Sequence, residues 1–218
     1  MHIPVLQKEV IYYLDPKSNE NFIDCTLGLA GHTTAILEKN KPKGKVLGIE
    51  TDPELYQKLK QQNIKRLILE NSSYINLKKI IERKKIKQVS GILFDLGMSS
   101  WHIEKSERGF SFLKDEPLDM RYDKNSKLTA EEIINTWTER ELEKIFKEYG
   151  EEKFSKKIVS EIIKERKLKT IKSTFQLKEI IKQGVPKWYQ HKRIHFATKT
   201  FQALRIAVNN ELENLKTS

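Results

Sequence analysis

The chain has 218 residues, 38% hydrophobic and 33% charged, a balance that can pack a core and does not fit a disordered chain. Its 41 Lys and Arg against 30 Asp and Glu leave a net charge of +11. That excess suits a polyanionic partner held through phosphate contacts, although a lysine-rich composition typical of AT-rich genomes gives the same charge without one. Apolar runs such as Val89 to Leu96 are too short to span a bilayer, and the N-terminus shows no basic region leading into an apolar core. The single cysteine, Cys25, excludes an internal disulfide framework. Together these features point to a cytosolic globular protein.

In chain order, Asn21 to Leu27 is predicted as a strand that ends beside an acid, Asp24, and opens into a turn containing Gly28 and Gly31. His32 to Lys39 is the helix that follows. Lys45 to Glu50 is the second strand, and its terminal carboxylate falls about 20 residues after the turn, where an acid meets ribose hydroxyls in nucleotide-binding βαβ units. A dinucleotide fingerprint wants a third glycine where Thr33 stands. The acid at Asp24, just before the turn, fits an S-adenosylmethionine pocket better, because that cofactor has no pyrophosphate to cradle. A turn that merely packs a helix on a sheet is the plainer alternative.

Asp52-Pro53-Glu54 starts the next helix with a cap, a proline at the first helical position and an acid in the first turn. Arg66 to Glu70 is predicted as the third strand, Tyr74 to Arg83 as helix, and Gln88 to Leu96 as a fourth strand, apolar on both faces as a central parallel strand would be. Alternating βα units imply a parallel sheet with helices on both sides and a site at the C-terminal ends of the strands.

Asp95-Leu-Gly97-Met-Ser99-Ser100 follows the fourth strand and so belongs at that site. A carboxylate with hydroxyls there can accept hydrogen bonds from a cofactor or an exocyclic amine and stabilise positive charge as a nitrogen takes a methyl group. Asp95 acting only as a turn cap is the competing reading. Tyr74 is either a platform for an adenine ring or a core plug; His32 either meets a cofactor carboxylate or caps its helix; His102 lines the crevice or lies in solvent. The histidines and acids show no metal-ligand spacing.

Residues 97–127 form a long connection with little periodicity. The pattern then turns helical, with capping sequences at Thr129–Glu132, Thr138–Glu141 and Ser173–Gln176. A last helix places Phe201, Leu204, Val208, Leu212 and Leu215 on one stripe. The segment Lys187-Trp188-Tyr189-Gln190-His191-Lys192-Arg193 interleaves cations with aromatic rings, as single-stranded nucleic acid binders do, although a charged run is often just a solvated helix face.

Several segments together resemble the bacterial methyltransferase family that modifies N4 of a cytidine in small-subunit (16S) ribosomal RNA near the decoding centre, the MraW-like enzymes. The carriers are His2 to Leu6, Asp24 to His32, Asp95 to Ser100, Arg108-Gly-Phe-Ser-Phe112 and Pro117-Leu-Asp-Met-Arg121. They continue with Tyr149 to Glu152, Ala197 to Ile206 and Asn209 to Leu212, so the likeness covers nearly the whole chain.

The resemblance implies an α/β fold, a Rossmann-like S-adenosylmethionine methyltransferase sheet of about four parallel strands with an α-helical insert, divided at 1–104 and 105–218. It implies that Gly28, Ala30, Gly31, His32, Glu50, Tyr74, Asp95 and His102 surround S-adenosylmethionine, and that Asp95, Ser99 and Ser100 serve catalysis. Arg108, Asp119 and Arg121 would lie in a loop that closes over donor and extruded cytosine, with Lys187, Trp188, Lys192 and Arg193 on the RNA side. The implied partner is 16S ribosomal RNA in the small subunit; a homodimer is compatible with the sequence.

Three departures stand out. Ala30 replaces a glycine, which is tolerable if the local φ is negative. Glu50 replaces the usual aspartate. Family members also continue into further strands, so a truncated chain is expected, and its fourth strand would be an open sheet edge. A non-catalytic RNA-binding protein of the same descent is the competing reading, and a methyltransferase of small molecules a weaker one.

Overall fold

A computed structural model describes residues 4–218. By their internal packing they divide into two compact units, one running to Trp101 and taking in Asn214–Ser218, the other His102–Glu213.

The first unit opens with helix α1 (Gln7–Leu14) and then alternates strands and helices: β1 (Asn21–Asp24), α2 (Gly31–Lys39), β2 (Val46–Glu50), α3 (Pro53–Gln62), β3 (Leu67–Asn71), α4 (Leu77–Lys84) and β4 (Val89–Leu93). The strands form one parallel sheet in the order β3-β2-β1-β4, with Phe22 opposite Val46 and Gly91. Period-two alternation sends successive residues to opposite faces. Ile23, Leu47 and Ile49 pack with Leu77 and Ile80 of α4, whereas Phe22 and Val46 pack with Ile36 and Leu37 of α2. Every residue of β2 is buried, the burial expected of a strand covered on both faces.

The fourth strand is not the central strand its apolar faces suggest but takes the open-edge position expected beside that reading. It pairs only with β1 among the described residues, and its burial alternates, with Ile92 46% exposed. A run of apolar residues does not separate a central strand from an edge strand, and the strand order makes this one an edge. The helix predicted from Tyr74 begins as a single 3-10 turn at Tyr74–Asn76, initiated by the Ser73 side chain, before α4 starts.

The second unit contains α5 from His102 onward (Ser100–Glu104), α6 (Ala130–Thr136), α7 (Glu139–Glu148), α8 (Ser155–Leu168), α9 (Thr174–Gly184), α10 (Lys187–Gln190), α11 (Thr198–Val208) and most of α12 (Glu211–Thr217). Thr138 with Glu141 and Ser173 with Gln176 form complete capping boxes, and Thr129 caps α6 through its side chain. The predicted last helix is two helices. Asn210 takes φ 48°, which ends α11 and leaves Leu212 and Leu215 exposed while Phe201, Leu204 and Val208 stay buried. Asparagine tolerates this left-handed conformation better than most residues, which is why periodicity alone runs through the break. No described helix is long and apolar enough to cross a membrane.

Candidate active site

At the C-terminal ends of the strands of the first unit, local chemistry follows from three acids. Asp24 ends β1 and is 1% exposed. Its Oδ1 accepts from the Thr26 backbone N–H at 3.1 Å and its Oδ2 from the Thr33 hydroxyl at 2.8 Å. Burial pushes the Asp24 pKa above its ordinary value, against the pull of those two bonds. Glu50 ends β2 and closes the turn after β1: the Gly28 N–H donates to its Oε2 at 3.0 Å and the Asp52 N–H to its Oε1 at 2.8 Å. Burial raises the Glu50 carboxyl to about 8, with the negative charges of Asp52 and Asp24 adding to the effect. Asp52 itself caps α3, accepting from the Glu54 N–H at 2.8 Å.

The turn needs two left-handed residues, Gly28 at φ 53° and Ala30 at φ 61°. Gly28 adopts this conformation freely. Ala30 does so at a conformational cost, so the condition on which the extra methyl was tolerable, a negative φ, is not met. The methyl is instead buried among Leu27, Leu55, Leu59 and Trp101.

The Asp95 backbone N–H donates to the Thr26 hydroxyl at 2.7 Å, tying the segment after β4 to the turn after β1. The Asp95 side chain is 51% exposed, with Oδ2 3.6 Å from His32 Nε2. That distance is too long for a hydrogen bond. His32, in the first turn of α2, is buried, and neither ring nitrogen has a hydrogen-bond partner. Ser99 lies against the same turn: a Cβ placed on Gly28 would meet the Ser99 Cβ at 3.5 Å. Tyr74 meets Phe94 edge-on at 5.5 Å and packs on the sheet core beneath. Cys25 is buried and its thiol is pushed up to about 12, so it stays protonated. The first unit thus gathers Gly28, Ala30, Gly31, His32, Glu50, Tyr74, Asp95 and Ser99 at one end of its sheet, with Ser100 opening α5.

These groups fit S-adenosylmethionine. The buried imidazole has unmet hydrogen-bonding capacity at a helix N-terminus, and a cluster of carboxylates suits a ligand carrying hydroxyls, amines and a sulfonium. Among the described residues, no group of His, Cys, Asp and Glu could hold a metal ion.

The remaining sequence-predicted residues lie in the second unit. His102 is buried against Phe110, at 5.0 Å, and Tyr122, at 4.9 Å, rings that stack on each other. Arg108 donates from Nη1 to the Arg121 and Tyr122 carbonyls at 2.7 and 3.1 Å. Arg121 grips Asp119 with a fork, Nε to Oδ1 at 2.7 Å and Nη2 to Oδ2 at 2.8 Å, and its Nη1 donates to the Lys124 and Ser126 carbonyls. This fork holds Asp119 below the usual carboxylate range and raises Arg121, overcoming the burial of Asp119. Gly109, at φ 73°, leaves no room for a side chain beside the Pro117 carbonyl, and its N–H donates to the buried Glu116 at 2.9 Å.

Asn209 completes the loop, donating to the Met120 carbonyl at 2.7 Å and accepting from the Tyr122 N–H at 2.8 Å. Sequence reasoning assigned no role to Glu116 or Asn209; the bonds of Asn209 reach 87 and 89 residues back and leave no local pattern. Lys187, Trp188, Lys192 and Arg193 lie in and just after α10, with Trp188 54% exposed.

A sequence model of the MraW methylase family matches residues 1–218. Among curated relatives, the Ribosomal RNA small subunit methyltransferase H of Halothermothrix orenii is 48% identical over 217 residues, covering 99% of this chain and 70% of the relative. The proteins of the same name from Dictyoglomus thermophilum and Persephonella marina are 45% and 44% identical, covering 99% of this chain and 73% and 74% of their own lengths. The match spans both units and every residue of the strand-end cluster, and with it the chain belongs to the MraW methylase family of methyltransferases.

Proposed function

We propose that this methyltransferase uses S-adenosylmethionine to methylate the N4 amine of a cytidine in 16S ribosomal RNA near the decoding centre, with residues 1–104 holding the donor and 105–218 engaging RNA in the small subunit. The observation that carries the reading is the strand-end pair of a buried His32, whose ring nitrogens have no hydrogen-bond partner, and a half-exposed Asp95 3.6 Å away. The names of the relatives and the net charge of +11 support RNA as the substrate.

S-adenosylmethionine supplies an electrophilic methyl group on a sulfonium. Gly28, Ala30, Gly31, His32, Glu50, Tyr74 and Asp95 would hold it, with His102 as a further candidate. Glu50 would accept from ribose hydroxyls, and His32 would offer its ring nitrogens to the polar end of the donor. Asp95 accepts an N–H of the exocyclic amine, orients the nitrogen and stabilises the positive charge that builds on it; Ser99 and Ser100 assist through their hydroxyls. The cytidine must leave its stack, because its amine is otherwise shielded.

Methyl incorporation from labelled S-adenosylmethionine into undermethylated small subunits, followed by digestion and analysis for N4-methylcytidine, tests the proposal. Labelled N4-methylcytidine is the expected product. Label in a different nucleoside, or none with donor bound, would overturn it.

A further inference from the structure

Around Trp188 the second unit builds an aromatic platform with cations set over it. The indole meets Phe154 edge-on at 5.9 Å and Tyr189 at 5.8 Å, so neighbouring rings brace its rim. The brace is anchored below by a buried carboxylate. Glu152, 1% exposed, accepts from the Tyr189 hydroxyl at 3.0 Å and from the Phe154 N–H at 2.9 Å. Two ammonium groups sit over the exposed indole, Lys153 Nζ at 4.5 Å and Lys192 Nζ at 5.0 Å from the ring centroid. Lys153 is also 5.1 Å from the Phe154 ring.

A half-exposed tryptophan whose covering groups are flexible lysines, and whose neighbouring rings are fixed by a buried carboxylate, has the parts of a stacking site for an unpaired nucleotide. The ring offers a flat face that accepts any base, and the lysines offer charge to the adjoining phosphates. We infer that Trp188 is a stacking platform for an unpaired RNA base, and that Lys153 and Lys192 swing from the indole face to the flanking phosphates when the base arrives. Lys153 precedes α8 and is far in sequence from the Trp188 segment, so only the fold joins it to the platform. The inference rests on the reading of the second unit as the RNA-engaging part and adds the mode of contact.

The test uses the full chain and an unstructured hexanucleotide carrying one 2-aminopurine, titrated at several salt concentrations. Stacking quenches the probe. Trp188→Ala is expected to weaken binding about 10-fold to 100-fold and abolish the quench, while Trp188→Phe keeps binding within about 3-fold. Lys153→Gln should reduce the slope of log affinity against log salt by about 0.7, the value for one phosphate contact on a single strand. Unchanged affinity in Trp188→Ala, or equal losses in the alanine and phenylalanine variants, would overturn the platform.

Methylation assays separate this inference from the proposed function. Trp188→Ala with unaltered affinity but full activity on subunits removes the platform and leaves the function. A quenched oligonucleotide on a chain that produces no N4-methylcytidine removes the function and leaves the platform.

Discussion

The strand ends of the first unit and the loop from Arg108 to Ser126 in the second both concentrate charged and polar side chains, but they treat them oppositely. In the loop, the charges are spent internally. Arg121 forks Asp119 and reaches two carbonyls, Arg108 holds two more, and Glu116 takes the Gly109 N–H. At the strand ends, burial drives Asp24 and Glu50 above their ordinary pKa values, and His32 has two ring nitrogens without partners. Folding alone does not favour a buried imidazole without hydrogen-bond partners, and on the proposed function a ligand completes it. On that same proposed function, the strand ends act as the receptor and the loop as its framework.

The largest effect should come from the receptor side. Asp95→Ala removes the half-exposed carboxylate beside His32 and is expected to lower methyl transfer by about 100-fold or more, with helical content by circular dichroism unchanged. Turnover at the wild-type rate would take Asp95 out of the reaction and collapse the contrast.

Glu50 gives a pH-dependent version of the same test. Its folded pKa, about 8, lies above its ordinary value of 4.5, so the folded state holds the proton more tightly than the unfolded one. Its contribution to stability is therefore fully present below pH 4.5 and is lost as pH rises to about 8, a change on the order of a few kcal/mol. Chemical denaturation of the ligand-free chain at pH 5 and pH 8 should show this fall. Glu50→Gln, which cannot ionise, should flatten it; an equally steep fall in the variant would assign the dependence elsewhere.

The framework side is sharpened by Arg121→Lys. Lysine keeps the charge but cannot fork Asp119 while also reaching the Lys124 and Ser126 carbonyls. A loss of about 2 kcal/mol is expected, seen as a melting point lower by roughly 4–8 °C. Weakened RNA binding at unchanged thermal stability would favour the substrate contact that the resemblance implies for Arg121 over a framework role.

The two regions also differ in how far the sequence foretells them. The parallel sheet was legible because Asn21–Asp24, Val46–Glu50 and the Asp52-Pro53 helix start carry local signals. The acids Asp24, Glu50 and Asp95 were legible for the same reason: strand ends converge in this architecture. The edge position of β4 was not legible in its apolar pattern, which reads as a central strand, and followed only from the resemblance. Nor were the Asn209 clamp on Met120 and Tyr122, or the placement of Lys153 over Trp188, which join residues far apart in the chain. The break at Asn210 was hidden inside an uninterrupted apolar stripe.

The smallest effect tests whether the turn at the receptor is itself a compromise. An alanine held at φ 61° sacrifices about 1–2 kcal/mol relative to glycine. Against that, the Ala30 methyl is buried with Leu27, Leu55 and Leu59, which recovers about 0.8 kcal/mol. Glycine would also loosen the unfolded chain, for another 0.4–1 kcal/mol or so. The opposing contributions nearly cancel, so Ala30→Gly should move the melting point by no more than roughly 2 °C in either direction. Ala30→Val carries the same φ with a branched side chain in a filled core and should destabilise by more than about 2 kcal/mol. If glycine instead raised the melting point by many degrees, the methyl would be contributing little to the core, and the strain at this turn would have to be maintained by something other than packing.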